Sequence, residues 1–289
     1  MIDTLIPQIV NGLVLGFLYV LIAVGLSIIF GLLGVVNFAH GAFFALGAYF
    51  ALTLYETFGW PAVVFAPILV GLIGMAVEVL LIRRLYGKEP LIGLILTFAL
   101  GLLIEALIRL AWGAGGHPFS PPPFLAGIVE YGPLLITRYR LAVLVTTMAL
   151  LAGLWAFLNY TPFGRILRAG SRDAEMVGML GINLPRVLTG VFGLGCLLAG
   201  IAGVLAAPLW TVTPSMAAGA IMPAFVIVTI GGLGSYLGAI VAGLLVGVVT
   251  ALTIQFMPEA SAAAMYVLMA AILLVRPRGL FGERWERFE

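Results

Sequence analysis

TPFGRILRAGSRDAEMVGMLGINLPR, residues 161–186, sits between an apolar run at 139–159 and another at 188–208. It is the longest polar interruption in the chain, and it carries Arg165, Arg168, Arg172 and Arg186 beside Asp173 and Glu175. Wound as one helix at about 100° per residue, it sets Arg165, Arg168, Arg172, Met176 and Met179 on one face. Ile166, Leu167, Gly170, Ala174, Val177 and Gly178 fall roughly opposite. The plain reading is an amphipathic helix on anionic lipid headgroups; the sharper one is a docking helix for a cytoplasmic subunit. Gly170-Ser171 is where a single helix is open to breaking.

Over the whole chain the composition is 63% hydrophobic and 9% charged, far from the roughly 45–50% apolar and 25% charged of soluble domains. This is the composition of a polytopic membrane protein. Apolar runs fall near 8–31, 37–55, 61–82, 91–111, 139–159, 188–208, 217–230, 236–256 and 260–275. At about 20 residues per span they predict one all-α transmembrane bundle over residues 1–289, of roughly eight to ten spans, with no soluble domain. The run at 217–230 is short enough to be a re-entrant or broken element.

Threading the chain alternately through a bilayer puts Arg83, Arg84, Lys88, Arg165, Arg168, Arg172, Arg186, Arg276, Arg278, Arg284 and Arg287 on one side, and Arg109, Arg138 and Arg140 on the other. By the positive-inside rule the first side is cytoplasmic. The 161–186 segment and the C-terminus are therefore expected inside, with 113–138 as the main external loop and the N-terminus outside. MIDTLIPQ has no basic n-region, so the first span is expected to remain in the mature chain. A net charge of +2 gives no footprint for nucleic acid, and Cys196, the single cysteine, rules out an intramolecular disulfide.

Val36-Asn37-Phe38-Ala39-His40-Gly41 is the best candidate for a substrate-path element. Asn37 suits an N-cap, and an interrupted helix leaves N–H groups and a positive dipole end for a substrate carboxylate. Asn37, Phe38, His40 and Gly41 are the candidates; the bland alternative has Asn37 only capping and His40 bonding a backbone carbonyl. Gly231, Gly232, Gly234 and Ser235 form a glycine-rich counterpart, and the similarity of 31–54 to 229–252 points to a weak two-fold internal repeat. A phosphate-binding loop needs Lys followed by Ser or Thr, yet Lys88, the only lysine, precedes Glu89. Any ATP must be bound by another subunit, and no cofactor of the chain's own is expected.

Glu105 and Arg109 are spaced to pair on one helix, and Glu78 lies about one turn before Arg83. Small residues recur every fourth position, as Ala239, Gly243 and Gly247, and as Gly195, Ala199, Gly203 and Ala207, which predicts close helix packing in lipid. With His40 and His117 as the only histidines, nucleophilic and metal chemistry find no partners. The chain is not expected to be an enzyme.

GRILRAGSRDAEMVGMLGI resembles the cytoplasmic coupling loop of permease subunits in ABC importers for branched-chain amino acids. The same family is matched by NGLVLGFLYVLIAVGLSIIFGLLGVVNFAHG (11–41), by Glu78 with the basic cluster after it, by GGLGSYLGAIVAGLL (231–245) and by RPRGLFG (276–282). The resemblance implies a permease subunit of a bacterial inner (plasma) membrane, embedded in lipid. It would move branched-chain or other small amino acids, or related amides, inward. By the family's pattern Gly164, Arg165, Arg168, Ala169, Glu175, Gly178 and Gly181 couple to two cytoplasmic ATPase subunits. A second permease subunit, related or identical, and an external or periplasmic solute-binding protein complete the set. Two other classes stay open: an ion-coupled secondary transporter would work without ATPase partners, and a receptor or scaffold would carry no solute.

Overall fold

The apolar runs must satisfy their backbone N–H and C=O groups without water, which in lipid selects helices. In the computed structural model, which describes residues 2–131 and 134–282, each of the nine runs contains a helix. In chain order these are α1 (Ile2–Leu33), α2 (His40–Phe58), α3 (Ala62–Leu80), α4 (Pro90–Trp112) and α5 (Arg138–Tyr160). After the polar segment, which forms α6 (Pro162–Arg172) and α7 (Ala174–Met179), come α8 (Leu184–Ala206), α9 (Met216–Gly231), α10 (Tyr236–Phe256) and α11 (Ser261–Val275). The stretches containing α1, α3, α4, α5, α8, α10 and α11 are long and apolar enough to cross a membrane, seven among the described residues. α9, with 16 residues, is short, as its run predicted; α2, with 19, is diluted by His40, Glu56 and two tyrosines. Arg284 and Arg287 lie outside the described residues.

The loop after α4 is more ordered than its glycines and prolines imply. β1 (Ile128–Tyr131) pairs antiparallel with β2 (Leu134–Thr137), Ile128 opposite Thr137.

α1 is buried on all sides from Val20 to Ile29, and α2 from Gly41 to Tyr49, the mark of helices enclosed by other helices. α8 wraps them, while α11 at the rim has no buried residue. Contact is close because side chains are small, which in lipid substitutes for the missing hydrophobic driving force. Gly12 and Gly16 of α1 face Gly243 and Gly247 of α10, and Gly74 of α3 sits against Cys196 of α8. Gly203 lies against the Phe44 carbonyl so closely that no Cβ fits.

The packing repeats. α1 lies on α10 as α8 lies on α3; α1 meets α9 as α8 meets α2; α2 touches α3 and α4 as α9 touches α10 and α11. A 3-10 turn stands between α3 and α4 (Ile82–Leu85) and another between α10 and α11 (Pro258–Ala260). The repeat is thus α1–α4 against α8–α11, one helix out of step with the expected match of 31–54 to 229–252. That similarity reflects shared glycine content, whereas the fold aligns the α1–α2 junction with α8–α9. α1 ends, and α8 begins, at the same end of the bundle, so the halves are inverted, as in many transporters.

Charge divides the two ends. At the basic end Leu32 approaches Gly170, Arg83 reaches Pro185 and Gly31 meets Gly234. Residues 276–282 fold back there, with Leu280 N–H donating to Ile230 O (2.8 Å) and Phe281 N–H to Gly231 O (3.0 Å). At the opposite end Gln8 bonds Gln255, Arg140 bonds Asn11, Trp112 bonds Thr53, and His117 pairs with Val212.

Candidate functional site

The polar segment is two helices, broken at Asp173 instead of Gly170-Ser171. Asp173 leaves the helical region (φ −150°, ψ 94°) and its carboxylate accepts from Met176 N–H at 2.8 Å, capping α7. Gly170 stays helical because it packs on Leu32, where a larger residue would crowd the Leu32 methyl. The facial division survives the break. Gly164, Leu167, Gly170 and Val177 are buried, while Arg165, Arg168, Ala169, Arg172, Glu175 and Met176 are exposed. Gly178, assigned to the apolar face, is exposed.

The segment is fixed at both ends. Thr161 caps α6, accepting from Gly164 N–H at 3.2 Å and donating to Phe157 O at 2.7 Å. Arg168 turns back to α5, donating to the Asn159 side chain and, at 3.4 Å, to the Asn159 carbonyl. Arg165 and Arg172 make no ion pair among the described residues. Gly181 takes φ +80°, a left-handed turn that favours glycine, and Asn183 caps α8 by accepting from Arg186 N–H. Beside the free arginines, Met179 is 75% and Leu180 74% exposed. Sequence reasoning missed Leu180; an apolar residue at a helix end before a glycine turn was the available signal.

A second feature begins where α1 stops. Gly34 (φ +64°) reverses the chain, and residues 34–37 run extended back into the bundle along α4. Val35 approaches Gly93, Thr97 donates to Val36 O at 3.1 Å, and Ala39 lies beside Gly101. Gly101 is eleven residues into α4, and Ile22, whose carbonyl meets His40 Nε2 at 3.1 Å, is eleven residues before the end of α1. At 1.5 Å per residue both gauges put the start of α2 roughly 16 Å inside the basic end, near mid-bundle. α9 begins beside it, Ala217 against Gly41.

Asn37 does not occupy the N-cap; its Oδ1 accepts from Ala39 N–H at 3.1 Å in a turn, and Ala39 is the cap residue. The N–H groups of His40, Ala42 and Phe43 are bonded to Asn37 O and Ala39 O, so most first-turn donors are already used. Asn37 and His40 are buried, and Asn37 Nδ2 and His40 Nδ1 lack protein partners. Phe38 is the member of the motif that reaches outward. It stacks on Phe225 of α9 (5.9 Å, 29°) and meets Phe98 of α4 edge-on (6.4 Å, 78°), forming an apolar wall. Gly231, Gly232, Gly234 and Ser235 form a seam at the basic end. Gly232 sits on Gly279 and Gly282, and Ser235 caps α10 by accepting from Gly238 N–H.

The third feature is a buried carboxylate. Glu78 near the end of α3 accepts from Arg83 Nε (3.3 Å) and Nη2 (3.0 Å), Tyr86 OH (2.8 Å) and Thr189 Oγ1 (2.6 Å). Burial, and then the bond to Glu78, hold the Tyr86 phenol above its ordinary range, so it remains a donor. Glu105 and Arg109 pair at 2.6 Å, four residues apart as predicted.

The family model described as "Branched-chain amino acid transport system / permease component" matches residues 8–276. The high-affinity branched-chain amino acid transport system permease protein LivH of Escherichia coli is 29% identical over 295 residues, covering 96% of this chain and 95% of the relative. BraD of Pseudomonas aeruginosa, similarly described, is 30% identical over 293 residues, with 96% and 95% covered. Among solved structures, PsaBC from Streptococcus pneumoniae in complex with Fab superposes with a TM-score of 0.51 at 14% identity, covering 92% of this chain and 89% of that one, a likeness of fold. With nearly its whole length matched and a bundle of apolar helices to carry it, the chain belongs to the branched-chain amino acid transport permeases, multi-pass membrane components of ABC transporters.

Proposed function

We propose that this chain is one transmembrane subunit of an ATP-driven importer moving branched-chain or other small amino acids, or related amides, across a bacterial inner membrane. The basic end, including residues 276–282, faces the cytoplasm by the positive-inside bias. Two ATPase subunits dock on α6–α7, and a second permease, related or identical, completes the path. A solute-binding protein delivers substrate at the opposite end.

The observation that carries this reading is the docking segment. It is held on α5 by Gly164 seated against Leu158 and by Arg168 bonded back to Asn159, and it leads directly into α8, while Arg165, Arg172, Met176, Met179 and Leu180 stand exposed. Apolar anchors ringed by unpaired cations are what a protein partner can bury; lipid headgroups alone would use the arginines. Closure of the ATPases pushes a unit already bonded to two spans, which tilts the bundle between outward and inward access. Arg165, Arg168, Ala169, Glu175, Gly178 and Gly181 serve that contact at the surface, and Gly164, buried against Leu158, serves it by seating α6 on α5.

For the path, Phe38 with Phe98 and Phe225 offers an apolar wall suited to a branched aliphatic side chain. Asn37, His40 and Gly41 set its position from behind, and Gly231, Gly232, Gly234 and Ser235 form the seam at the cytoplasmic exit. The test is uptake by vesicles holding the chain with its ATPase, permease and binding-protein partners. Arg165→Glu with Arg168→Glu is expected to abolish transport-coupled ATP hydrolysis while the chain still inserts. Full uptake on an ion gradient by the chain alone would overturn the reading in favour of a secondary transporter.

A further inference from the structure

The inverted repeat offers a comparison within one molecule. Its two halves each bring the end of a third helix beside the start of a first: α3 beside α8 at the basic end, α10 beside α1 at the opposite end. At the opposite end the tie is one exposed pair of neutral amides, Gln8 Nε2 donating to Gln255 Oε1 at 2.8 Å. At the basic end it is a carboxylate with 0% exposure, held by four donor contacts from three residues. The same fold position therefore carries very different bonds. The heavier one stands next to the docking segment, just past Asn183, which caps the first turn of α8. Arg186 lies on that first turn, and Pro185 and Thr189 take part directly.

The bonding runs in one direction. Thr189 Oγ1 has one hydrogen, and its shorter contact is to Glu78 Oε2 (2.6 Å) against Pro185 O (2.9 Å). It therefore donates to Glu78 and accepts from Arg83 Nη2 at 2.5 Å. Arg83 Nη2 also reaches Pro185 O at 3.5 Å. α3, the 3-10 turn after it and the first two turns of α8 are thus closed into one ring of hydrogen bonds. A carboxylate taken out of water is tolerated only when its acceptor sites are satisfied, so separation penalises Glu78, while Arg83, with its side chain 35% exposed, keeps access to solvent.

We infer that Glu78 is a positioning residue for transport: through Thr189 and Arg83 it obliges α3 to move with the first two turns of α8 when the docking segment is displaced. This rests on α6–α7 being where the ATPase subunits act. Deeper in the bundle α3 and α8 are held by packing alone, Leu197 on Gly71, Cys196 on Gly74 and Met75 on Gly193; without the ring, displacement of the start of α8 would be lost within its first turns.

Two readouts test this. Spin labels at Leu81→Cys and Arg186→Cys, in a Cys196→Ala background, report the α3–α8 spacing in the chain itself. The distribution is expected to be narrow with Thr189 or Thr189→Ser and broad with Thr189→Val, which keeps the shape and removes the hydroxyl. In the complete transporter, amino acid imported per ATP hydrolysed is expected to fall about tenfold for Thr189→Val, the factor that goes with losing a hydrogen bond to a charged group. Thr189→Ser restores it, and Gln255→Leu at the opposite end leaves it unchanged. A Thr189→Val chain of lower thermal stability but unaltered spacing and import ratio overturns the inference. Narrow spacing with Thr189 and broad spacing with Thr189→Val, in a complex whose import never depends on ATP, keeps the link between the helices and overturns the function assigned to the docking segment.

Discussion

Arg165 and Arg168 share a helix face by periodicity, but among the described residues only the Arg168 side chain is bonded within the chain, and that difference can be measured. Arg168 makes two donor contacts to Asn159, to its side chain and to its carbonyl. A hydrogen bond to a charged group contributes about 1.5–3 kcal/mol, and solvent exposure of Arg168 reduces this to about 1 kcal/mol. Asn159→Ala removes the side-chain acceptor and lets α6 swing on Thr161. The free segment must then be ordered on docking, so ATPase affinity is expected to fall about fivefold, the factor equivalent to about 1 kcal/mol. Arg168→Ala produces the same loss plus its direct contact. The double variant is no worse than Arg168→Ala alone, a coupling energy near 1 kcal/mol by double-mutant cycle. Arg165 with Asn159 gives a coupling near zero. Titrating purified ATPase subunits into vesicles and following hydrolysis supplies all the constants. Strict additivity for Arg168 and Asn159, or equal coupling for Arg165, would refute the claim that the two arginines differ in role.

Gly203→Leu meets the Phe44 carbonyl, and overpacking of this kind costs about 1–3 kcal/mol or more; loss of the monodisperse chain in detergent is expected, while Gly153→Leu, which meets nothing within contact range, is tolerated. Phe38→Ala removes one side of the aromatic wall and is expected to impair uptake, with Phe38→Leu intermediate, since stacked aromatic pairs contribute about 0.5–1.5 kcal/mol beyond area. Asn37→Leu is expected to lower uptake with assembly retained, and normal transport by that variant removes Asn37 from the path.

The nine helices were legible because lipid leaves the backbone so few choices that an apolar run of sufficient length is a helix. The facial division of α6 and α7 was legible for a related reason, as helical period alone orders it. What was not legible depended on partners distant in sequence. Asp173 breaks the docking segment because its carboxylate finds the Met176 N–H, and Gly170, with the weaker intrinsic propensity, is held helical by Leu32. The Glu78 and Arg83 pair was readable from spacing, but Thr189 lies 111 residues away from Glu78. The inverted repeat was sensed and placed one helix out of step, because glycine content marks thin seams wherever they occur. The β1–β2 pair, set in the loop between α4 and α5, was overlooked despite the β-branched and aromatic Ile128, Val129, Tyr131, Ile136 and Thr137.

Residues 276–282 give the basic end a late finishing step. Ile230 and Gly231 at the tip of α9 receive their N–H partners from Leu280 and Phe281, which leave the ribosome only after α10 and α11 have been made. During synthesis α9 is therefore inserted with a ragged tip that water must cover, and the tip closes once the tail returns. A protein fused directly after Val275 would hold that tail away, so a tag placed there should slow maturation more than the same tag on the loop before β1.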